Sequence, residues 1–321
     1  MYSLFPKKDF AFAIFRSTKG DTIEKTIDKG EVLWYTFRSD TKKDVTMQKY
    51  KLISSDLDCT LLSSDMTVSR ENEAAIHTIT QKGVHFVPNT GRTLCEIPES
   101  IKQSPDIRYI IYSNGAAIYD KECGTVEGTY LPRDIYLRMI SMLKDYKAFI
   151  IVHTGGTSYV DAEQFNEECM CHHQLGKYYR DFLFQTNTPV KNFQSFCEGL
   201  EEVEMICTFF QDDEDCRHFT KRLNEAGGVS IVSSFAHNIE VLSAAAGKGN
   251  ALVRLAERLG ISREDTMSLG DSKNDLDMIN AAGIGIAVKN AWPILRENAD
   301  VVLDCTNDEH VVKYVLEKYF D

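Results

Sequence analysis

The 321-residue sequence lacks several features that would place it outside the class of ordinary globular proteins. It has no run of about 20 apolar residues, the length that a membrane-spanning helix needs. The apolar run from Phe10 to Phe15 is short and flanked by charges, so we expect no secretory signal. Positive charge is scarce, with 36 Lys and Arg against 48 Asp and Glu. The net charge of -12 argues against nucleic acid as a partner, because phosphate backbones attract basic surfaces.

The sequence also lacks any regular cysteine spacing that would indicate a disulfide framework. Its 9 cysteines are scattered, which predicts reduced thiols and a cytoplasmic location. One local cluster, Cys169-Met170-Cys171-His172-His173, contains metal-ligand residue types, but its spacing is too tight for the usual zinc sites. We interpret it as a polar helix surface. The length and the ordinary composition, 43% hydrophobic and 26% charged, indicate about two domains.

The most informative segment is an apolar, strand-like run that leads directly into Asp56 and Asp58, with Thr60 following. Where such a strand ends the chain turns, so both carboxylates can approach one point. Two negative charges in one place are costly unless a cation lies between them. The pattern therefore predicts a divalent cation with oxygen ligands and a carboxylate able to attack phosphorus.

Three later segments have the same form, a regular element that begins or ends at polar residues. They are Val84–Asn89 running into Thr90-Gly91-Arg92, a helical pattern that starts at Gly247-Lys248-Gly249, and Thr266–Leu269 running into Gly270–Asp275. In an open parallel sheet, the carboxyl ends of the strands line one crevice, and ligands bind there. We therefore expect these polar groups to converge.

Together these segments resemble the four motifs of the haloacid dehalogenase superfamily, and its Cof-type phosphatases with an α/β cap in particular. The matching residues, in motif order, are Asp56-x-Asp58-x-Thr60, Thr90, Lys248 and Gly270-Asp271-x-x-Asn274-Asp275. Two further segments are similar to recurring Cof-type signatures, Ser113-Asn114-Gly115-Ala116 and Lys289-Asn290-Ala291. The resemblance runs from about residue 47 to the C terminus. Cys59 stands where most relatives have Gly, and we expect it to be a buried structural cysteine.

The resemblance implies roles for the site residues. Asp56 would be the nucleophile that forms an aspartyl-phosphate, and Asp58 would be the general acid and base. Thr90 and Lys248 would hold the transferring oxygens. The Mg²⁺ ligands would be Asp56, the backbone carbonyl of Asp58, and Asp271, with Asp275 supporting them. The residues expected to bind phosphate or substrate are Thr60, Gly91, Arg92, Asn114 and Asn274.

The order of strand-like and helical segments predicts an α/β fold, a Rossmann-like parallel sheet core with an inserted α+β cap. The core would comprise residues 47–127 and 238–321, and the cap residues 128–237. Residues 1–46 lie outside the recognised pattern and form an N-terminal extension, either an appended β-hairpin unit or a non-native leader. Within it, segments 10–15 and 32–37 are strand-like, with turns at 19–21 and 39–41.

The leading functional hypothesis is a Mg²⁺-dependent phosphomonoesterase acting on a small phosphorylated metabolite, most often a sugar phosphate in this branch. We expect a monomer or homodimer with no nucleic-acid or membrane partner. One alternative is a phosphomutase with the same nucleophile. A non-catalytic phospho-switch is a second alternative, but a receiver domain lacks the inserted block of about 110 residues. A binding protein that has lost activity is a third, and the complete motif set gives it no support.

Overall fold

A computed structural model describes residues 49–233 and 237–320 in full, and residues 12–16, 22–28 and 31–37 as strand backbone. The chain divides into two compact units, Met1–Met47 and Gln48–Asp321. In the part of the chain that is described, no helix combines the length and the apolar character needed to cross a membrane.

The first unit contains a three-stranded antiparallel meander. Its strands are β1 (Phe12–Arg16), β2 (Thr22–Asp28) and β3 (Glu31–Phe37). The two outer strands overlap the strand-like segments of the sequence, but the middle strand was missed. Its alternation is masked by charged residues at three of seven positions in the run Thr-Ile-Glu-Lys-Thr-Ile-Asp, which has only two isoleucines. The predicted turns at 19–21 and 39–41 lie outside the described residues.

The second unit is built on a five-stranded parallel sheet with the order β17-β16-β15-β4-β5. Its strands are β4 (Leu52–Ser55), β5 (His85–Pro88), β15 (Thr266–Gly270), β16 (Ile284–Ala287) and β17 (Val301–Val302). A bridge from Asn89 to Ile111 continues it towards an antiparallel group, β6 (Tyr109–Tyr112), β7 (Ala117–Asp120) and β8 (Thr125–Gly128). The predicted α/β fold with a parallel core is confirmed.

Helices cover both faces of this sheet, which explains why its central strands β4 and β15 are buried at every position. Neighbouring residues of β4 point to opposite sides, since Ile53 joins one buried cluster and Leu52 another. The helices of the core are α1 (Arg70–Gln81), α2 (Glu99–Gln103), α8 (Lys248–Arg258), α9 (Leu276–Ala281), α10 (Pro293–Asn298) and α11 (Val311–Tyr319). The α1 helix begins as its sequence predicts, with the Ser69 side chain accepting a hydrogen bond from the backbone N–H of Asn72 at 3.2 Å.

A separate six-stranded sheet, mostly antiparallel, lies between the two halves of the core in sequence. Its order is β11-β10-β9-β12-β14-β13. The strands are β9 (Ala148–Thr154), β10 (Thr157–Asp161), β11 (Thr188–Val190), β12 (Met205–Phe210), β13 (Val229–Val232) and β14 (Asn238–Ser243). The helices are α3 (Arg133–Leu143), α4 (Glu167–His172), α5 (Lys177–Thr186), α6 (Phe193–Glu198) and α7 (Asp213–Ala226). We refer to this α+β block as the cap.

The cap extends past the boundary predicted at residue 237. The strand Asn238–Ser243 pairs antiparallel with β12 along its length, and it also pairs with β13. Its apolar residues resemble those of a core strand, so the sequence offered no local sign that it belongs to the other sheet. We therefore propose that the second half of the core begins at about residue 244.

The meander and the second unit each form their own hydrogen-bonded sheets, so a chain that begins at Met47 should fold. Its midpoint of thermal unfolding in differential scanning calorimetry should match the main transition of the full chain. A fall of more than about 4 °C, roughly 2 kcal/mol in a chain of this size, would show that the first 46 residues stabilise the rest.

Candidate active site

Asp56 follows β4 directly, at the edge of the sheet where β4 and β15 both end. Its backbone N–H donates to the carbonyl oxygen of Leu269 at 2.9 Å, and the residue is 5% exposed. The chain then enters an irregular turn, Leu57–Leu61, in which Asp58 is extended and Cys59 is left-handed, with φ of 56°. This turn leaves Asp56 buried while the Asp58 side chain stays 44% exposed beside it.

Cys59 does not form the buried structural site that the sequence led us to expect. It is exposed, while its backbone carbonyl accepts a hydrogen bond from the Asn290 side chain at 2.8 Å. A Cβ atom disfavours this left-handed conformation by roughly 1–2 kcal/mol, so glycine would fit the position with less strain. The prediction was wrong because the turn directs this side chain outwards.

Lys248 is the charged centre of the site. As the first residue of α8, it donates from Nζ to Asp56 Oδ1 at 2.7 Å and to Asp275 Oδ1 at 2.6 Å. All three side chains are almost fully buried. Burial lowers the pKa of Lys248, but the carboxylates of Asp275 and Asp56 outweigh that effect and raise its pKa overall. The ammonium group therefore remains charged and holds the two carboxylates in place.

Asp56, Asp271 and Asp275 form a compact acidic cluster, with one carboxylate oxygen of each lying within 4.8 Å of the others. Burial, with the charge of Asp275, raises the pKa of Asp56 well above its usual value. The same two causes raise the pKa of Asp271 to about 7. Among the described residues no other group of three acidic, His or Cys ligands is this close, and that includes the cysteine and histidine run at 169–173.

Asp275 is held by the backbone of the loop that carries Asp271. Its Oδ2 accepts hydrogen bonds from the backbone N–H groups of Asp271 at 3.0 Å and Ser272 at 3.1 Å. Its other oxygen accepts from Lys248, so both oxygens are engaged. Thr60 approaches the same loop, donating from Oγ1 to Asp271 Oδ1 at 3.4 Å. Asp275 thus orients both Lys248 and the loop of the candidate metal ligand Asp271.

Arg92 forms a two-pronged ion pair with Asp58. Nε donates to Asp58 Oδ2 at 2.8 Å and Nη2 to Asp58 Oδ1 at 2.6 Å. The guanidinium also lies 5.1 Å from the ring centre of Phe182 on cap helix α5, and Nη1 donates to the Glu96 carbonyl. Arg92 therefore links Asp58 to the cap.

The remaining predicted residues form a group beside this centre. Thr90 is buried, and its Oγ1 accepts from the backbone N–H of Arg92 at 3.2 Å. Gly91 packs on the Asn114 amide, which a Cβ at position 91 would meet at 3.2 Å. Asn274 donates from Nδ2 to Asn114 Oδ1 at 3.3 Å. The structure thus brings the predicted residues of all four motifs to one edge of the sheet.

Several residues around the site were not found from the sequence. Asp277 accepts from the backbone N–H of Gly249 at 2.9 Å and so fixes the start of the helix that carries Lys248. Three buried glutamates, Glu96, Glu204 and Glu240, accept hydrogen bonds across the contact between core and cap. The one signal in the sequence was a carboxylate within an apolar strand, at Glu240. Its partner Asn114 lies 126 positions away, so the sequence alone did not reveal the contact.

Comparisons with known proteins place the chain in a family of hydrolases. The family model of the haloacid dehalogenase-like hydrolases matches residues 53–316. The chain is 32% identical over 284 residues to Phosphatase YwpJ of Bacillus subtilis, covering 83% of this chain and 99% of the relative. It is also 32% identical over 270 residues to a phosphatase of that organism named for 5-amino-6-(5-phospho-D-ribitylamino)uracil, YcsE, covering 83% and 94%.

A solved structure gives the same result in three dimensions. A haloacid dehalogenase-like hydrolase from B. subtilis superposes with a TM-score of 0.70 at 32% sequence identity, covering 84% of this chain and 99% of that one. The resemblance found in the sequence motifs, including its Cof-type character, is confirmed.

The acidic cluster predicts an unusual dependence of stability on pH in protein freed of metal with EDTA. Because the pKa of Asp271 is about 7 instead of 3.8, the folded state binds more protons than the unfolded state between these values. The contribution of this group to stability is therefore full below about pH 4 and is lost as pH rises through 7. Asp271→Asn removes this loss, so its unfolding midpoint should fall less between pH 5 and pH 8 than that of the wild type.

The matched control is Asp304→Asn, at an exposed position, which should follow the wild-type pH profile. Parallel profiles for the wild type and Asp271→Asn would contradict the assignment of a strained acidic cluster.

Proposed function

Since the chain belongs to the haloacid dehalogenase-like hydrolase family, we propose that it is a Mg²⁺-dependent phosphomonoesterase that acts through an aspartyl-phosphate on Asp56. The observation that carries this proposal is the buried Lys248, which binds Asp56 and Asp275 at once. A nucleophilic carboxylate must approach a negatively charged ester, and a fixed ammonium group reduces that repulsion.

The side chains of the acidic cluster suit a hard divalent cation, because they offer only oxygen ligands. Asp56, Asp271 and the backbone carbonyl of Asp58 would hold Mg²⁺, whose charge would offset that of the phosphoryl group. Asp275 would support this set, since it already holds the backbone of the Asp271 loop.

The chain's own residues supply the remaining chemistry. A carboxylate oxygen of Asp56 forms a bond to phosphorus as the bond from phosphorus to the leaving oxygen breaks. Asp58 gives a proton to that oxygen, then takes one from the water that attacks phosphorus and frees Asp56. Asp58 accepts hydrogen bonds from Arg92 at both oxygens, so the first step requires it to give up one of them.

The substrate we propose is a small phosphorylated metabolite, with sugar phosphates foremost. All four motifs lie in the core, so they account for phosphate and metal but leave the rest of the substrate to the cap. Nine free cysteines and the acidic net charge support a cytoplasmic enzyme without a nucleic-acid partner. We expect a monomer or a homodimer.

The direct test is phosphate release from a panel of sugar, nucleotide, flavin and pyridoxal phosphates. Release should require Mg²⁺, stop in excess EDTA and return on adding Mg²⁺. Ca²⁺ should replace it poorly, because calcium takes more oxygen ligands in looser geometry. Full activity after exhaustive chelation would contradict the metal assignment, and no release from any ester would contradict the proposal as a whole.

Asp56→Asn should lower kcat by several orders of magnitude, because it removes the nucleophile and keeps the shape of the side chain. The measurement is phosphate release by purified protein, together with mass spectrometry of acid-quenched protein to detect the phosphorylated aspartate. Turnover near the wild-type rate would refute the covalent mechanism.

Asp58→Asn should affect substrates unequally, because a poor leaving group needs protonation and a good one does not. We expect a loss of about 10²–10⁴-fold in kcat/KM for alkyl phosphates and a smaller loss for para-nitrophenyl phosphate. Equal losses for leaving groups of widely different pKa would argue against Asp58 as the general acid.

A further inference from the structure

The loop Ser113-Asn114-Gly115, between β6 and β7, holds an unfavourable backbone conformation. All three residues have positive φ, at 49°, 50° and 83°. For the two residues with side chains, this costs on the order of 1–3 kcal/mol each. Such a conformation persists only where the surrounding structure holds it.

On the core side, the loop is tied to the residues that follow β5 and to the start of α8. The backbone N–H groups of Ser113 and Asn114 donate to the carbonyls of Arg92 at 2.8 Å and Thr90 at 2.9 Å. A Cβ added to Gly115 would lie 2.1 Å from the carbonyl oxygen of Gly247. The loop therefore contacts the segment that positions Lys248.

On the cap side, two buried carboxylates bind the same loop. Glu204 Oε2 accepts from Ser113 Oγ at 2.9 Å, and Glu240 Oε2 accepts from Asn114 Nδ2 at 2.6 Å. Glu240 is 5% exposed and lies on β14, the strand that the sequence placed in the core. The catalytic loops are thus held in part by residues of the cap.

The contact with Glu240 sets the orientation of the Asn114 amide. Asn114 Nδ2 donates to the Glu240 carboxyl oxygen, so the NH₂ end of the amide faces the cap. Asn114 Oδ1 then faces the core and accepts from Asn274, whose Oδ1 accepts from Ser272 Oγ at 2.5 Å. Ser272 follows Asp271 directly, so this chain of hydrogen bonds ends beside a candidate metal ligand.

We infer that Glu240 is a positioning residue of the cap. It orients Asn114, which in turn orients Asn274. In this way Glu240 couples docking of the cap to the arrangement of the Asp271 loop. Asn114 then acts through its neighbours, since both ends of its amide are engaged. This inference rests on the proposed function. It means that a residue of the cap helps to orient side chains of the site in the core.

The test compares Glu240→Met, which keeps length but offers only a weak sulfur acceptor, with Glu240→Gln, whose oxygen can still accept from Asn114. With para-nitrophenyl phosphate, Glu240→Met should lower kcat about tenfold and change KM by less than about threefold. Glu240→Gln should recover most of that loss. The matched control is Ser158→Ala, which removes two different cap–core hydrogen bonds, to Glu96 at 2.7 Å and to Thr93 at 3.0 Å, and should lower kcat by less than about threefold.

A second measurement does not depend on turnover. The midpoint of thermal unfolding, followed as MgCl₂ is added, reports Mg²⁺ affinity. Glu240→Met should weaken this affinity about three- to tenfold, as the loss of an outer hydrogen-bond partner does at other metal sites. Asn114→Ala should have the same effect, and the double variant should be no worse than the more affected single variant.

Additive losses in the double variant, or equal losses in Glu240→Met and Ser158→Ala, would show that Glu240 only stabilises the cap and would overturn the inference. Unchanged kcat and Mg²⁺ affinity in Glu240→Met, with an active wild type, would overturn it while leaving the proposed function intact. A wild type that neither releases phosphate nor is stabilised by Mg²⁺ would overturn both.

Discussion

The structure is organised around one electrostatic constraint, three carboxylates and one ammonium group gathered in a buried space. Removing such charges from water costs several kcal/mol per ion, and only close pairing offsets that cost. Lys248 pairs with Asp56 and Asp275 at 2.7 and 2.6 Å, but Asp271 remains beside them and its pKa rises to about 7. The negative charges outnumber the positive one, so the cluster offers an excess of carboxylate oxygens that could bind a further cation.

The parallel sheet creates this crowding. Strands β4 and β15 are neighbours in register, with Ser55 opposite Leu269, so the residues after both strands emerge at one edge. The start of α8 must then come close enough for Lys248 to reach them. Gly249 allows this approach, because a Cβ there would lie 2.4 Å from the Asp277 carbonyl oxygen. The carboxylate of Asp277 accepts from the Gly249 N–H and completes the helix start.

Much of this arrangement could be predicted from the sequence, because strand ends and helix starts are local patterns. The parallel core and the convergence of Asp56, Lys248, Asp271 and Asp275 follow from polar residues placed directly after apolar strands. The contacts of the cap could not be predicted in this way. Asn114 was predicted as a site residue, and Glu240 stands out as a carboxylate within an apolar strand, but their pairing depends on how two sheets dock. The boundary predicted at residue 237 falls just before β14, which pairs with two strands of the cap sheet, and a buried strand does not reveal in its own sequence which sheet it joins.

Buried carboxylates form part of the contact between core and cap. Glu96, Glu204 and Glu240 each accept hydrogen bonds across it, beside an apolar cluster that includes Met205 and Leu242. Carboxylates and hydroxyls exchange such bonds for water at a small net cost, whereas a large apolar interface loses its whole driving force when it opens. The strained loop at 113–115 is thus held by two kinds of contact, backbone hydrogen bonds to the core and carboxylate hydrogen bonds to the cap, and water can replace the second kind at a small net cost.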